Sequence, residues 1–430
     1  MTNTTRRGLL ARAALAGGAL ILPSSALVTT LATMGCSSKG RRTDHYFVFY
    51  YMMGGWDLML STDPLTHDSG MFVPYDDDEI IEHGRERFGP AMKALLPYAD
   101  RMAIMRGIHV DALNHPQARF RMTTGQFKPA GNFVSAPSAQ TLIARKIGLG
   151  YEMPNLSSDS TRPATFRGDD PNLVLEPVRI ESVDQLKSMV NVRGEMGAYR
   201  SEIAEAIAAR DQLTRKSYDG NALANDFGEF ADLARALAST DYRQRVRAME
   251  GGAKDDRWAK QARMAVEAIK HDVAPVITIG TGEFDAHTRS NYGGHANAVI
   301  RGFRTVAEVC AGLKATVDVD GRTLLDKTTI VVTSEFSRAP SRNELGGKHH
   351  WPTNAMVLIG KNVRRRKDGP VMFGATDDGL SAVPVNPRNG SHARGAELLD
   401  MSHAMATVLA SAGLDASALI GQDPIAHLLA

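Results

Sequence analysis

The chain has 430 residues, 43% of them hydrophobic and 23% charged, an ordinary globular balance with length enough for one large α/β domain or two smaller ones. The formal net charge of +2 shrinks further if Arg6, Arg7 and Arg12 leave with a leader, so no basic field remains and nucleic acid is excluded as a partner. Two cysteines, Cys36 and Cys310, exclude an intramolecular disulfide framework, and stability has to come from an apolar core.

The first segment reads Thr5-Arg6-Arg7-Gly8-Leu9-Leu10, followed by a weakly hydrophobic stretch over residues 13–32 loosened by Gly17, Gly18, Pro23, Ser24 and Ser25. A basic flank, an apolar region and a small-residue exit are the parts of a secretory signal, and the paired arginine points to the twin-arginine route. A spanning anchor would need about 20 uninterrupted apolar residues. The exit, Leu31-Ala32-Thr33-Met34-Gly35-Cys36, ends as a lipoprotein signal does, with Thr33 where Leu, Val or Ile is usual. Acylation of Cys36 would tether the mature protein to a membrane by lipid chains, whereas cleavage nearby would release a soluble product. Residues 1–36 are expected to be a leader, residues 43–430 the functional domain, and the periplasm or cell envelope the destination.

Next comes His45-Tyr46-Phe47-Val48-Phe49-Tyr50-Tyr51-Met52-Met53, which stops at Gly54-Gly55. An apolar run without strict alternation predicts a strand buried on both faces, as in a parallel sheet. Similar runs at 102–110, 276–280, 329–333 and 356–360 alternate with helical patterns such as residues 296–313, where Cys310 lies. That order predicts an α/β fold, a doubly wound, mostly parallel sheet flanked by helices. Residues 155–177, polar and rich in Pro, Ser and Asp, predict an irregular loop. Residues 183–271 depart from the rhythm. Ile203, Ile207, Leu213, Phe227, Phe230, Leu233 and Leu237 recur at helical spacing and predict a helical insertion between two strands, forming a cap or wall near one edge.

Four segments put acids and histidines just past strand ends, where open α/β sheets bind ligands. In Gly54-Gly55-Trp56-Asp57 two glycines allow a tight turn and deliver Asp57 as a hard oxygen donor or as a helix cap. In Asn114-His115-Pro116-Gln117-Ala118-Arg119, Pro116 suits a first helical turn and Gly125 a stop. His115 and Arg119 would then face an anion at the helix N-terminus, or His115 would simply cap it. Asp285 and His287, two apart after the strand at 276–280, can reach one cation of the zinc type, with His295 possible beside them but better placed on the following helix. Glu335 follows the strand at 329–333, and Gly346-Gly347-Lys348-His349-His350 precedes another strand. Asp57, Asp285, His287, Glu335, His349 and His350 thus form a candidate site for one or two divalent metals. A pair about 3.5–4 Å apart would clamp the attacking and leaving oxygens of a phosphoryl or sulfuryl group.

Taken in order, the paired arginine, G-G-W-D, N-H-P with its trailing T-G, F-D-A-H, S-E-F-S-R and G-G-K-H-H resemble the domain-of-unknown-function family 1501 of the alkaline-phosphatase and sulfatase-like superfamily. The resemblance runs from the strand before Gly54 to the helix around 398–409. It implies metal-dependent hydrolysis of phosphate or sulfate esters, on a small-molecule or glycan substrate. It also implies that Asp57 bridges to a metal and that Asp285 and His287 form the first ligand pair. Glu335 stands where an aspartate is usual, His350 matches the late metal-binding histidine, and His349 falls where Asp is frequent. Arg119 and Thr124-Gly125 match the arginine and the ending of the sulfatase nucleophile helix. The nucleophile position itself falls on His115, which offers no hydroxyl. His115 is then a metal ligand, a phosphorylated group, or the mark of a fold without the reaction. The alternatives to a hydrolase are a non-catalytic envelope protein binding an anionic glycan or partner, and a transferase of phosphoryl-linked headgroups.

Overall fold

A computed structural model describes residues 43–126, 136–148, 150–158, 177–191, 200–217, 233–234, 236–392 and 395–430. The expected leader with Cys36, most of the expected loop at 155–177, and Phe227 and Phe230 lie outside these residues. No helix among the described residues is long and apolar enough to cross a membrane.

Eight strands form one sheet. In chain order they are β1 (Tyr46–Met52), β2 (Met102–His109), β3 (Asn155–Ser157), β4 (Val178–Arg179), β5 (Val276–Thr281), β6 (Thr328–Thr333), β7 (Thr353–Gly360) and β8 (Val371–Phe373). Their spatial order is β8-β2-β7-β6-β1-β5-β3-β4. β1 pairs in parallel with β5 and β6, Tyr50 standing opposite both Ile279 and Val332. β7 alone runs against its neighbours, β2 and β6. The sheet is therefore mixed and mostly parallel. All five apolar runs picked out in the sequence are strands in it, and the first is fully buried throughout. β3 is an addition. Its three residues are buried but polar at both ends, so the pattern of the surrounding loop hid them.

Side chains alternate along a strand, and β1 feeds both layers of core. Tyr46, Val48, Tyr50 and Met52 pack with Met264 and Ile269 of one helix and Val299 and Phe303 of the next. Phe47, Phe49, Tyr51 and Met53 pack on the other face with Ala118, Met122, Ile143, Met405 and Leu409. Burying a side chain of this size stabilises by roughly 1.5–3 kcal/mol, which is how an aromatic strand at the centre fixes the position of both helical layers.

The helices of interest are α1 (His115–Thr124), α2 (Ala139–Ile147), α3 (Val183–Val190), α4 (Arg200–Ser217), α5 (Thr240–Ala248), α6 (Arg257–Lys270), α7 (Arg289–Ala315) and α8 (Met401–Ser411). Helices α3 to α6 fill the expected insertion between β4 and β5. Leu186 of α3, Tyr242 and Val246 of α5 and Met264 of α6 belong to the core on one sheet face. These three therefore contribute to the helical layer on that face.

Candidate metal centre

Because β7 is antiparallel, it enters the sheet at the edge where the parallel strands leave it. The segment before β7 and the segments after β1, β2, β5 and β6 consequently meet at one edge. Direction of pairing, more than any motif, brings His350 to residues that lie 63 to 237 positions earlier.

Local chemistry then fixes each segment. After β1, Gly54 and Gly55 take φ of +113° and +88°, a region that L side chains avoid. A Cβ on Gly54 would stand 2.4 Å from the backbone nitrogen of Asp285, so only glycine lets the β5 segment pass this close. The side chain of Asn114 caps α1 by accepting from the Gln117 N–H at 3.0 Å, Pro116 fills the first turn, and Gly125 ends it at φ +67° with its N–H on Arg121 O. The segment before β7 zips onto the one after β5: Lys348 N–H donates to Ala286 O at 2.8 Å, and Asn343 Nδ2 to His287 O at 2.9 Å.

One donor atom from each of His115, Asp285, His287 and His350 lies within 4.8 Å of every other. Two of the imidazoles are oriented from behind. Nδ1 of His115 donates to Glu335 at 2.8 Å, and Nδ1 of His350 donates to the carbonyl of Leu113. Each therefore turns Nε2 into the cluster, the arrangement by which carboxylates and carbonyls orient metal-binding histidines. His287 Nε2 stands 2.8 Å from His350 Nε2 and 3.5 Å from Asp285. Phe336, between Glu335 and Ser337, stacks on His350 with ring centres 4.0 Å apart and lies 4.9 Å from His115.

The electrostatics suit a cation. Burial, opposed by the bond to Leu113 O and reinforced by the Arg338 charge, pushes His350 down to about 4. Burial and Arg338 also hold His287 below its ordinary value. Burial would raise Asp285, but the Arg338 guanidinium at 2.8 Å and the nearby imidazoles hold it low. At neutral pH His287 and His350 present neutral imidazole nitrogens and Asp285 a carboxylate, the donor chemistry that a zinc-like ion takes.

The remaining expected ligands stand elsewhere. Glu335 is fully buried and is not in the cluster. It takes Gly54 N–H at 3.0 Å, Arg119 Nε at 3.2 Å and His115 on one oxygen. Burial acts to raise it, and the bond from His115, the Arg119 charge and its own backbone N–H more than offset that, holding it below the ordinary value. It braces His115 from behind and does not join the cluster. Asp57 is also fully buried, paired at 2.6 Å with the equally buried Lys348. His349 points outwards, 3.4 Å from Glu344. His295 is buried in α7, stacked on Tyr292. Arg119 lies one turn beyond His115 and is held by Glu335.

Sequence reasoning passed over Arg338 and Lys348. Both are fully buried, and Arg338 Nε donates to Gly54 O at 2.9 Å while its Nη2 reaches Asp285. The signal was present as a cation following an acid in Ser334-Glu335-Phe336-Ser337-Arg338 and between glycine and histidine in Gly347-Lys348-His349. A charge at a buried strand edge is almost never there without a partner.

No curated protein matches the chain. Solved structures similar to it include the lipoteichoic acid synthase LtaP from Listeria monocytogenes, 8% identical at TM-score 0.41, covering 94% of this chain and 81% of that one. A sulfatase from Pseudoalteromonas sp. is 12% identical at TM-score 0.39, covering 94% and 74%. A putative sulfatase from Bacteroides thetaiotaomicron is 10% identical at TM-score 0.37, covering 89% and 75%. At such scores the fold class rests on this chain's own strand order. The family described as "Protein of unknown function (DUF1501)" matches residues 163–421, a span that holds Asp285, His287, Glu335 and His350 and leaves His115 ahead of it. That match extends over more than half of the sequence, and the chain belongs to the DUF1501 family.

Proposed function

We propose that this chain is an exported, metal-dependent hydrolase of phosphate or sulfate esters. One observation carries the reading: three imidazoles and a carboxylate from three separate segments converge within 4.8 Å, at the sheet edge where α/β folds bind ligands. His115, Asp285, His287 and His350 would hold the ion. A divalent cation there supplies Lewis acidity and positive charge against an anionic ester.

The protein's own groups have separable tasks. Glu335 keeps the Nδ1 proton of His115 and so holds Nε2 as a lone pair facing the cluster. Arg338 fixes Asp285 through one carboxylate oxygen. Arg119, anchored at Nε and partly exposed, offers its other guanidinium donors to an anionic oxygen. His115 acts here as a ligand, which accounts for the lack of a hydroxyl at that position. Metal analysis of the purified mature protein, followed by an ester screen of native and Asp285→Ala forms, tests the proposal. It predicts bound metal and turnover only in the native form; a metal-free native protein, or equal turnover in both, contradicts it.

A second reading has its own observation. Four protein donors are the number found in closed structural zinc sites, whereas catalytic ones keep a vacant position. In that case the protein binds an anionic envelope glycan without turning it over, and binding survives chelation.

A further inference from the structure

We infer that Lys348 stands in place of a second metal ion, so that the site takes one divalent cation and a fixed protein ammonium. The inference rests on the metal-binding reading above and goes beyond it by setting the number of ions. The sequence offered six candidate ligands, enough for a pair of ions bridged by acids. In the structure the residues left over from the cluster of four are each committed. Glu335 takes Gly54, His115 and Arg119 on one oxygen and Ser334 Oγ at 3.2 Å on the other, and His349 faces Glu344 at the surface.

Asp57 is the decisive one. Its carboxylate is fully buried, and Nζ of Lys348, also fully buried, lies 2.6 Å from Oδ2. The other oxygen accepts from Met59 N–H at 3.3 Å. The lysine is also held at its backbone. Its N–H donates to Ala286 O, within the segment carrying Asp285 and His287, and its carbonyl accepts from Arg338 at 3.1 Å. Next to it, Gly347 lies so close to Ala286 that a Cβ would come within 2.3 Å of the carbonyl oxygen, so the lysine cannot withdraw without moving the metal-binding segment. The rings of Tyr292 and Phe72, 5.3 and 5.6 Å from Nζ, present π faces to the ammonium. A second divalent ion on Asp57 would have to displace a buried cation from its carboxylate or sit against it in a low-dielectric pocket. Both are strongly unfavourable.

The test is a count of ions. Native, Asp57→Asn, His287→Ala and Lys348→Gln proteins are stripped, reloaded with excess zinc, freed of unbound metal by gel filtration and measured by plasma mass spectrometry. One ion per chain is expected in native and Asp57→Asn proteins, none in His287→Ala, and more than one in Lys348→Gln, where Asp57 has lost its cation. Two ions in the native protein, one of them lost in Asp57→Asn, overturn the inference while leaving the metal site intact. So does a folded Lys348→Gln protein that still holds one. A native protein with no zinc overturns the parent reading and this inference with it. The native and Asp57→Asn counts decide the matter even where Lys348→Gln does not fold.

Discussion

Replacing Glu335 by Gln separates charge from shape at the support behind His115. The amide is nearly isosteric, and its oxygen can still accept from Gly54 N–H, Arg119 Nε and His115 Nδ1, the three donors that converge on one carboxylate oxygen at 2.8–3.2 Å. The new NH2 group falls near Ser334 Oγ, which is 3.2 Å from the second oxygen. What is lost is the negative charge in a fully buried position. Two charge-assisted bonds become neutral ones of roughly half the strength, and His115 becomes a poorer donor to a cation. Loss of such outer support typically weakens metal affinity by about 10–100-fold, equivalent to roughly 1.4–2.8 kcal/mol. A competition titration with a chromogenic chelator at pH 7 reads the constant, and circular dichroism of the metal-free protein checks the fold. An Asn variant, one methylene shorter, is expected to do worse because the bond to Nδ1 is then lost. If the Gln variant binds metal as tightly as the native protein, Glu335 does not act through His115 and the assignment fails.

Three further outcomes are expected. Gly54→Ala places a Cβ 2.4 Å from the Asp285 backbone at φ +113°; strain of this kind costs about 1–3 kcal/mol, and both Tm and metal affinity should fall, whereas an unchanged affinity would separate Gly54 from the placing of Asp285. Lys348→Met leaves the buried Asp57 carboxylate unpaired and is expected to cost about 3–5 kcal/mol in urea unfolding, most of it recovered in Asp57→Asn/Lys348→Met; additive effects would deny the coupling. His45, whose Nε2 meets the Thr329 hydroxyl at 2.8 Å, is pushed down to about 3, chiefly by burial. Its folded value lies below the unfolded 6.5, so its stabilising effect is complete above pH 6.5 and is lost as pH falls towards 3. In chelator, native protein should lose about 2 kcal/mol more than His45→Phe between pH 7 and pH 5; parallel losses would refute the assignment.

Much of the fold could be read from the sequence because its strands are buried on both faces. A continuous apolar run such as residues 46–53 needs no partner to be recognised, and the ends of α1 were written in Asn114, Pro116 and Gly125. Three-residue β3 escaped, since Asn155 and Ser157 are polar and only their burial between neighbours makes a strand of them. At the site the sequence yielded the edge but not the pairings. Every candidate acid does lie past a strand end. Whether it meets a metal, a lysine or an imidazole depends on separations of a few ångström that spacing in the chain does not encode. Asp57 and Glu335 were therefore read as ligands, and the structure gives them to Lys348 and His115. The same limit hid the cations: a Lys before two histidines reads as surface until its neutralising carboxylate, 291 residues away, is seen. Residue 350 joins the cluster because β7 runs antiparallel, and direction of pairing is a property of the whole sheet.

On the proposed reading His115, Asp285, His287 and His350 share one cation. X-ray absorption at the zinc edge of the reloaded native protein addresses it directly. The expected spectrum shows nitrogen and oxygen donors at about 2.0–2.2 Å, an outer shell from several imidazoles and no sulfur, and the ion is lost in Asp285→Ala. A zinc spectrum without imidazole scattering, or one unchanged in a folded His287→Ala/His350→Ala protein, would contradict it.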